Sequence, residues 1–171
     1  MKKFLLLIHG PMGSGKTTLS NVLHNKLKPS ALVGLDYIKW FVSGYKRSKA
    51  NNKMTRNVVF AMVNEYLHQG VSVILEQALK PAEVSALKKL AKKYNVTFFM
   101  YQLSAPHHIL LSRIHERPRS KTGRPKIAPS RILRNLRLFN KIKYKDVTEF
   151  DTHLLSTKQI ANKIIKDARI Q

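Results

Sequence analysis

Lys16, Thr17 and Thr18 follow three closely spaced glycines in the run Gly10-Pro11-Met12-Gly13-Ser14-Gly15-Lys16-Thr17-Thr18. Glycines at 10, 13 and 15 let the backbone take positive φ and approach a ligand closely. Successive N–H groups, those of Met12 and Ser14 included, can then point into one anion-binding concavity at a helix N-terminus. An ammonium and two hydroxyls beside such a concavity suit a chain of phosphates. Lys16 reaches the β- and γ-phosphates, the Thr17 hydroxyl ligates Mg2+, and Thr18 adds a hydroxyl to the α-phosphate. The spacing is that of a P-loop in full: Gly, four residues, Gly-Lys and a hydroxyl residue. Residues Gly10, Met12, Gly13, Ser14, Gly15, Lys16, Thr17 and Thr18 are therefore the expected nucleotide site.

Two carboxylates stand where they can join this chemistry. Asp36 is the sole acid before Glu65 and follows the apolar run 31–35, which reads as a strand. Open parallel sheets present strand-end residues to the ligand crevice, so Asp36 is a candidate to orient and deprotonate an acceptor hydroxyl. It also fits as the N-cap of a helix beginning at Tyr37, and the two roles are compatible. Glu76 closes the apolar run 71–75, where it can hold a water of the Mg2+ shell, bind a substrate hydroxyl, or simply be an exposed strand-end acid. Arg113 and Arg117 lie four apart on an expected helix and share one face. His107, His108 and His115 show no chelating i,i+4 pair and read as surface residues.

The elements that must position these groups are legible as periodicities. Residues 4–8 form an apolar run directly before the glycine loop, and Leu19, Val22, Leu23 and Leu27 give the following segment a helical stripe. The polar stretch 43–53 reads as a loop over the sheet edge that contacts substrate. Helical patterns are expected over 52–68 (Val58, Val59, Met62, Val63, Tyr66 and Leu67 apolar), 81–94, from Pro106 onward, and 129–145 (Ile132, Leu133, Leu136, Phe139 and Ile142 facing inward). Strands are expected at 96–103 and 150–155, and Ser156 with Gln159 makes a capping box for a terminal helix. Strands alternating with helices mean βαβ units and a parallel sheet covered on both faces.

With 171 residues and 43% hydrophobic content the chain suits one domain over 1–171. It has no cysteine, so disulfides and thiolate metal sites are excluded and a reducing, cytoplasmic setting is expected. No apolar run reaches the length of a bilayer span, so no membrane partner is expected. The formal net charge of +23 points to anionic partners. Cations crowd into 39–56 (Lys39, Lys46, Arg47, Lys49, Lys53, Arg56) and 113–145, where Glu116 is the single acid. Prolines and glycine break residues 117–126, which read as a flexible basic lid over about 117–128. The charge serves nucleic acid or a phosphorylated substrate, or reflects a basic proteome or a lid that closes on a nucleotide.

The loop Gly10 to Thr18, Leu35-Asp36, Val73-Ile74-Leu75-Glu76, the segment from Leu110 to Arg117 and Phe150-Asp151-Thr152 together resemble a group of small P-loop kinases. The group holds the zeta-toxin, chloramphenicol phosphotransferase, gluconate kinase and polynucleotide 5′-kinase domains and is related to adenylate kinase. The resemblance implies a three-layer α/β P-loop NTPase fold with a five-stranded parallel sheet in the order 2-3-1-4-5. It also implies ATP as donor, Asp36 acting on the acceptor hydroxyl, and lid arginines, here Arg113, Arg117 and Arg124, on the nucleotide and the transferring phosphoryl. Many relatives end the third strand with Asp and a glycine, where this chain reads Glu76-Gln77-Ala78. The expected activity is ATP-dependent phosphorylation of a hydroxyl on a small molecule or nucleotide by a monomer or small homo-oligomer. A polynucleotide 5′-hydroxyl kinase, a zeta-like toxin acting on a sugar nucleotide, and a non-kinase protein that holds nucleic acid under nucleotide control stay open.

Overall fold

The computed structural model describes residues 2–116, 128–140, 144 and 147–168. In chain order the elements are β1 (Phe4–His9), α1 (Lys16–Lys26), β2 (Ser30–Gly34), α2 (Leu35–Lys39), α3 (Lys49–His68), β3 (Ser72–Glu76), α4 (Pro81–Lys93), β4 (Thr97–Ser104), α5 (His107–His115), α6 (Pro129–Asn140), β5 (Thr148–Asp151) and α7 (Thr157–Asp167). The strands form one sheet in the order β2-β3-β1-β4-β5, and every neighbouring pair is parallel. This is the five-stranded P-loop NTPase sheet that the resemblance implied. No helix among the described residues is long and apolar enough to cross a membrane.

β1 sits at the centre and is covered on both faces, which explains its unbroken Phe-Leu-Leu-Leu-Ile run. Phe4, Leu6 and Ile8 pack with Leu19, Leu23 and Leu27 of α1 and Ile160, Ala161 and Ile164 of α7. Leu5 and Leu7 face the other way, toward Val59, Val63 and Leu67 of α3 and Val84, Leu87 and Ala91 of α4. Each of the five apolar β1 side chains from Phe4 to Ile8 is fully buried. At roughly 1.5–3 kcal/mol for each such side chain, this strand is a principal source of the stability that holds the loop after it. A smaller cluster of Leu110, Ile132 and Leu136 joins α5 to α6, and Met12 of the glycine loop packs against it.

Parallel pairing fixes where the functional groups emerge. Ile8 registers with Glu76, and Gly34 registers with Glu76 from the other side. The carboxyl ends of β1, β2 and β3 therefore deliver Gly10, Asp36 and Glu76 to one edge of the sheet.

Several expected boundaries move. Asp36 does not follow a strand ending at Leu35: β2 stops at Gly34, Leu35 already begins α2, and Gly34 rather than Asp36 holds the N-cap position. Asp36 lies in the first helical turn, where a carboxylate is favoured by the helix dipole. α3 begins at Lys49 because the Ser48 hydroxyl caps it, accepting from the Asn51 N–H at 3.0 Å. Val58 and Tyr66 on that helix and Leu133 on α6 are exposed, since the buried stripe of α3 is Thr55, Val59, Val63 and Leu67 and that of α6 is Ile132 and Leu136. β5 starts at 148 and leaves the sheet after Asp151, whose carboxylate accepts from the His153 N–H at 2.7 Å and turns the chain. Residues 141–143 and 145 of the expected helix over 129–145, and the lid segment 117–127 with Arg117 and Arg124, lie outside the described residues.

Candidate active site

The glycine loop is shaped by its backbone. Gly10, Gly13 and Gly15 have φ of 154°, 87° and 85°, values that side-chain-bearing residues rarely adopt. Space forbids a side chain too: a Cβ on Gly10 would stand 2.7 Å from the Leu103 carbonyl oxygen, and one on Gly13 would stand 2.7 Å from the Leu110 carbonyl oxygen. β4 and α5 thus press the loop into its cradle from behind. The Pro11 carbonyl collects the Ser14 hydroxyl at 2.9 Å and the Lys16 ammonium at 2.8 Å, so lysine folds across the loop's mouth.

On one side of the loop lies a cavity of about 330 Å3. Lys16, Thr17, Asp36 and Glu76 all line it, as do Lys39, Arg47, Arg56, Lys80 and Arg131. The Thr17 hydroxyl donates to Glu76 Oε1 at 2.6 Å, bringing two hard oxygen ligands together beside the loop. That donor set fits Mg2+, which is bound through one or two carboxylate or hydroxyl oxygens together with substrate phosphates and retained water. The Lys39 ammonium donates to Asp36 Oδ1 at 2.8 Å. The Asp36 side chain keeps 72% of its accessible surface, yet the cavity wall desolvates it and pushes its pKa up. The pull of Lys39, joined by Arg47 and Lys16, outweighs this and holds the carboxyl below its ordinary value.

On the other side of the loop a second hollow is lined by Gly13, Gly15, Thr18, Arg113, Thr152 and Leu155. Arg113 does not reach the cavity of Asp36. Its guanidinium donates to Thr152 Oγ1 at 2.7 Å and to the Thr152 carbonyl at 2.8 Å, tying α5 to the turn after β5. The structure therefore joins Lys16, Thr17, Asp36 and Glu76 on one flank, and Thr18 with Arg113 on the other.

Sequence reasoning placed Arg47 only within a loop expected to contact substrate and passed over Lys39 and Arg131 as site residues. Lys39 carried a signal, lying one helical turn after Asp36. Arg131 is 95 positions from Asp36, and only the fold brings it near. His9 is a further omission. It is fully buried, accepts from the Leu79 N–H through Nδ1 at 3.2 Å and stacks on Phe139 at 4.9 Å between ring centroids. Burial, with the Lys16 charge, lowers its pKa from 6.5 to about 4. A histidine that resists protonation when folded gives stability that is full above about pH 6.5 and is lost as pH falls toward 4, by roughly 3 kcal/mol. Urea midpoints measured across that range should drop on the acid side, and His9→Gln should flatten that part of the drop.

A parallel sheet in this order, with a glycine loop between its central strand and a helix and with two carboxylates at the same end of the strands, defines a P-loop NTPase fold. Residues 5–139 match the AAA domain family AAA_33, and the chain belongs to that family. No curated protein matches the sequence. Among solved structures, a Chloroflexus aurantiacus protein provisionally named a kinase superposes with a TM-score of 0.76 at 19% identity, over 97% of this chain and 98% of that one. A gluconokinase from Sinorhizobium meliloti gives 0.66 at 15% identity over 96% and 91%. A chain of the Pnkp1/Rnl/Hen1 RNA repair complex gives 0.68 at 20% identity, over 81% of this chain and 44% of that chain. At these identities the likeness is one of fold.

Proposed function

We propose that this protein is an ATP-dependent phosphotransferase that moves the γ-phosphoryl group onto a hydroxyl of its acceptor. The observation that carries the reading is the single cavity in which Lys16, the Thr17–Glu76 pair and Asp36 converge beside the glycine loop. A binding protein needs the loop but not a carboxylate facing it across an open space. Bound MgATP would supply the phosphoryl donor and a divalent charge on its oxygens. The loop amides and Lys16 hold the phosphates, Thr17 and Glu76 hold the metal side, and Thr18 and Arg113 belong to the nucleoside side. Asp36 orients the hydroxyl and takes its proton as the oxygen–phosphorus bond forms, while the bond from the γ-phosphorus to its bridging oxygen breaks and that electron pair leaves with ADP. Positioning and charge do nearly all the work in such a transfer.

The test is transfer of label from γ-labelled ATP to a panel of hydroxyl compounds and nucleic-acid ends. Labelled inorganic phosphate alone, with no labelled acceptor from any chemical class, would sink the reading in favour of a nucleotide-dependent switch. Two variants check the division of labour. Glu76→Gln should raise the Mg2+ concentration for half-maximal turnover roughly tenfold, since a neutral amide holds the metal less well. Arg113→Ala should raise KM for ATP by about tenfold and leave KM for the acceptor unmoved, because its flank of the loop faces away from Asp36. Equal effects on both substrates would place Arg113 at the transfer site instead.

A further inference from the structure

The cavity holds more positive charge than the nucleotide reaction uses. Of its cations, Lys16 belongs to the glycine loop, Lys39 is paired with Asp36, and Arg56 is paired with Glu83 at 3.0 Å. Arg47, Arg131 and Lys80 remain, Lys80 at the N-cap of α4, and the two arginines are the ones whose charge couples to Asp36. Among the described residues, neither arginine forms an ion pair or a side-chain hydrogen bond, although both line the space in front of Asp36. They come from different elements, Arg47 from the segment between α2 and α3 and Arg131 from the first turn of α6. They lie close enough that each raises the cost of a neighbouring charge: Arg47 acts on Arg131, and both act on Lys39. By contrast, Lys88, Lys89, Lys92 and Lys93 of α4 are all exposed along one helix, as a generally basic surface would be. Two guanidiniums brought near one another in a cavity whose described acids, Asp36 and Glu76, are already engaged by Lys39 and Thr17 repel each other, and a bound anion relieves that repulsion.

We infer that the acceptor is a hydroxyl compound that already carries a phosphate, and that Arg47 and Arg131 grip this phosphate while Asp36 faces the hydroxyl to be phosphorylated. This rests on the kinase reading and narrows it. A guanidinium pair offers planar, two-pronged donation that matches phosphate oxygens, and it stays charged at any working pH. The carboxylate of Asp36 cannot bind the anion itself. Its repulsion instead orients the substrate, placing the phosphate on the arginines and the hydroxyl on the acid. A phosphate of this kind occurs on a small molecule, such as a sugar or nucleoside phosphate, and at a 5′-hydroxyl polynucleotide end, where the first phosphodiester lies on the 3′ side of the reacting sugar.

Matched pairs test this on the intact protein: adenosine against adenosine 3′-phosphate, ribose against ribose 5-phosphate, and a short oligonucleotide with a 5′-hydroxyl. The phosphate-bearing member of a pair should be preferred in kcat/KM by more than about tenfold. Arg47→Ala and Arg131→Ala should each raise acceptor KM by roughly tenfold with a smaller change in kcat and none in KM for ATP, and the Lys variants should recover part of the loss. A much lower KM for the oligonucleotide than for the mononucleotide would name the nucleic-acid end as the source of the phosphate; the reverse would name the small molecule. Phosphorylation of neutral acceptors as efficient as that of their phosphorylated partners, with KM unmoved by both arginine variants, overturns the inference and leaves the kinase reading standing. Label transfer to none of the acceptors overturns both. A loss confined to kcat would also overturn it, since it would place the two arginines on the transferring group instead of on the acceptor's own phosphate.

Discussion

Lys16→Ala should cut phosphoryl transfer by on the order of a hundredfold to a thousandfold while the protein stays folded. The two halves of that expectation have separate causes. Lys16 is half-buried at the first position of α1, and its ammonium donates to the Pro11 carbonyl of the loop, away from the hydrophobic clusters of the core. The core beneath it, Leu5 to Ile8 against α1, α3 and α4, is untouched by the change. The charge, by contrast, is placed where negative charge accumulates on the phosphate oxygens, and a cation there counts most when the transferring group is loosest. The measurements are the steady-state transfer rate and a thermal unfolding curve. A normal rate with normal unfolding would remove the nucleotide from the glycine loop; a collapsed unfolding transition would show Lys16 to be structural.

Asp36→Asn should lower transfer by about a hundredfold or more and leave ATP affinity near normal. The amide keeps the shape and can still accept from the Lys39 ammonium at the position of Oδ1, so α2 should hold its place. What it loses is the ability to take a proton. Since Lys39, Arg47 and Lys16 hold the carboxyl below its ordinary value against the effect of burial, Asp36 is ionised throughout the neutral range. The acid limb of the rate profile due to Asp36 should then lie below the ordinary carboxylate range, with turnover rising as pH climbs through it and flat above. A base this weak contributes chiefly by holding the hydroxyl in line, so removing Lys39 should move that limb upward. If Asp36→Asn abolished ATP binding and spared transfer per bound ATP, the carboxylate would be a metal or structural group.

How far the chain could be read depended on the range of the interactions involved. The P-loop was legible because its chemistry is local: the glycines, Lys16 and Thr17 are contiguous, and the positive φ at 10, 13 and 15 is what those residue types exist to permit. The central strand was legible because burial on both faces removes polar residues from it. Boundaries were less so. The expected strand over 31–35 missed that Leu35 serves the core from a helix as well as it would from a strand, and periodicity over so few residues does not separate the two. Leu133 looked like a core residue, yet the packing of α6 on α5 buries only Ile132 and Leu136.

The sequence by itself determined a phosphate-binding loop, an alternation of strands and helices that folds as a parallel sheet, and two acids that could serve it. Tertiary structure alone decided which of the many cations matter. Thirty-two lysines and arginines look alike along the chain; the loop expected to contact substrate holds Arg47 among other cations, and nothing local marks Arg131. Their meeting in front of Asp36 follows from α2, α3 and α6 closing around the ends of β1, β2 and β3, contacts between residues far apart in sequence. The same holds for Thr17 and Glu76, 59 positions apart and 2.6 Å from each other once β1 and β3 pair in register. Spacing along a chain fixes which groups share a turn or a helix face; which groups share a cavity is fixed by packing.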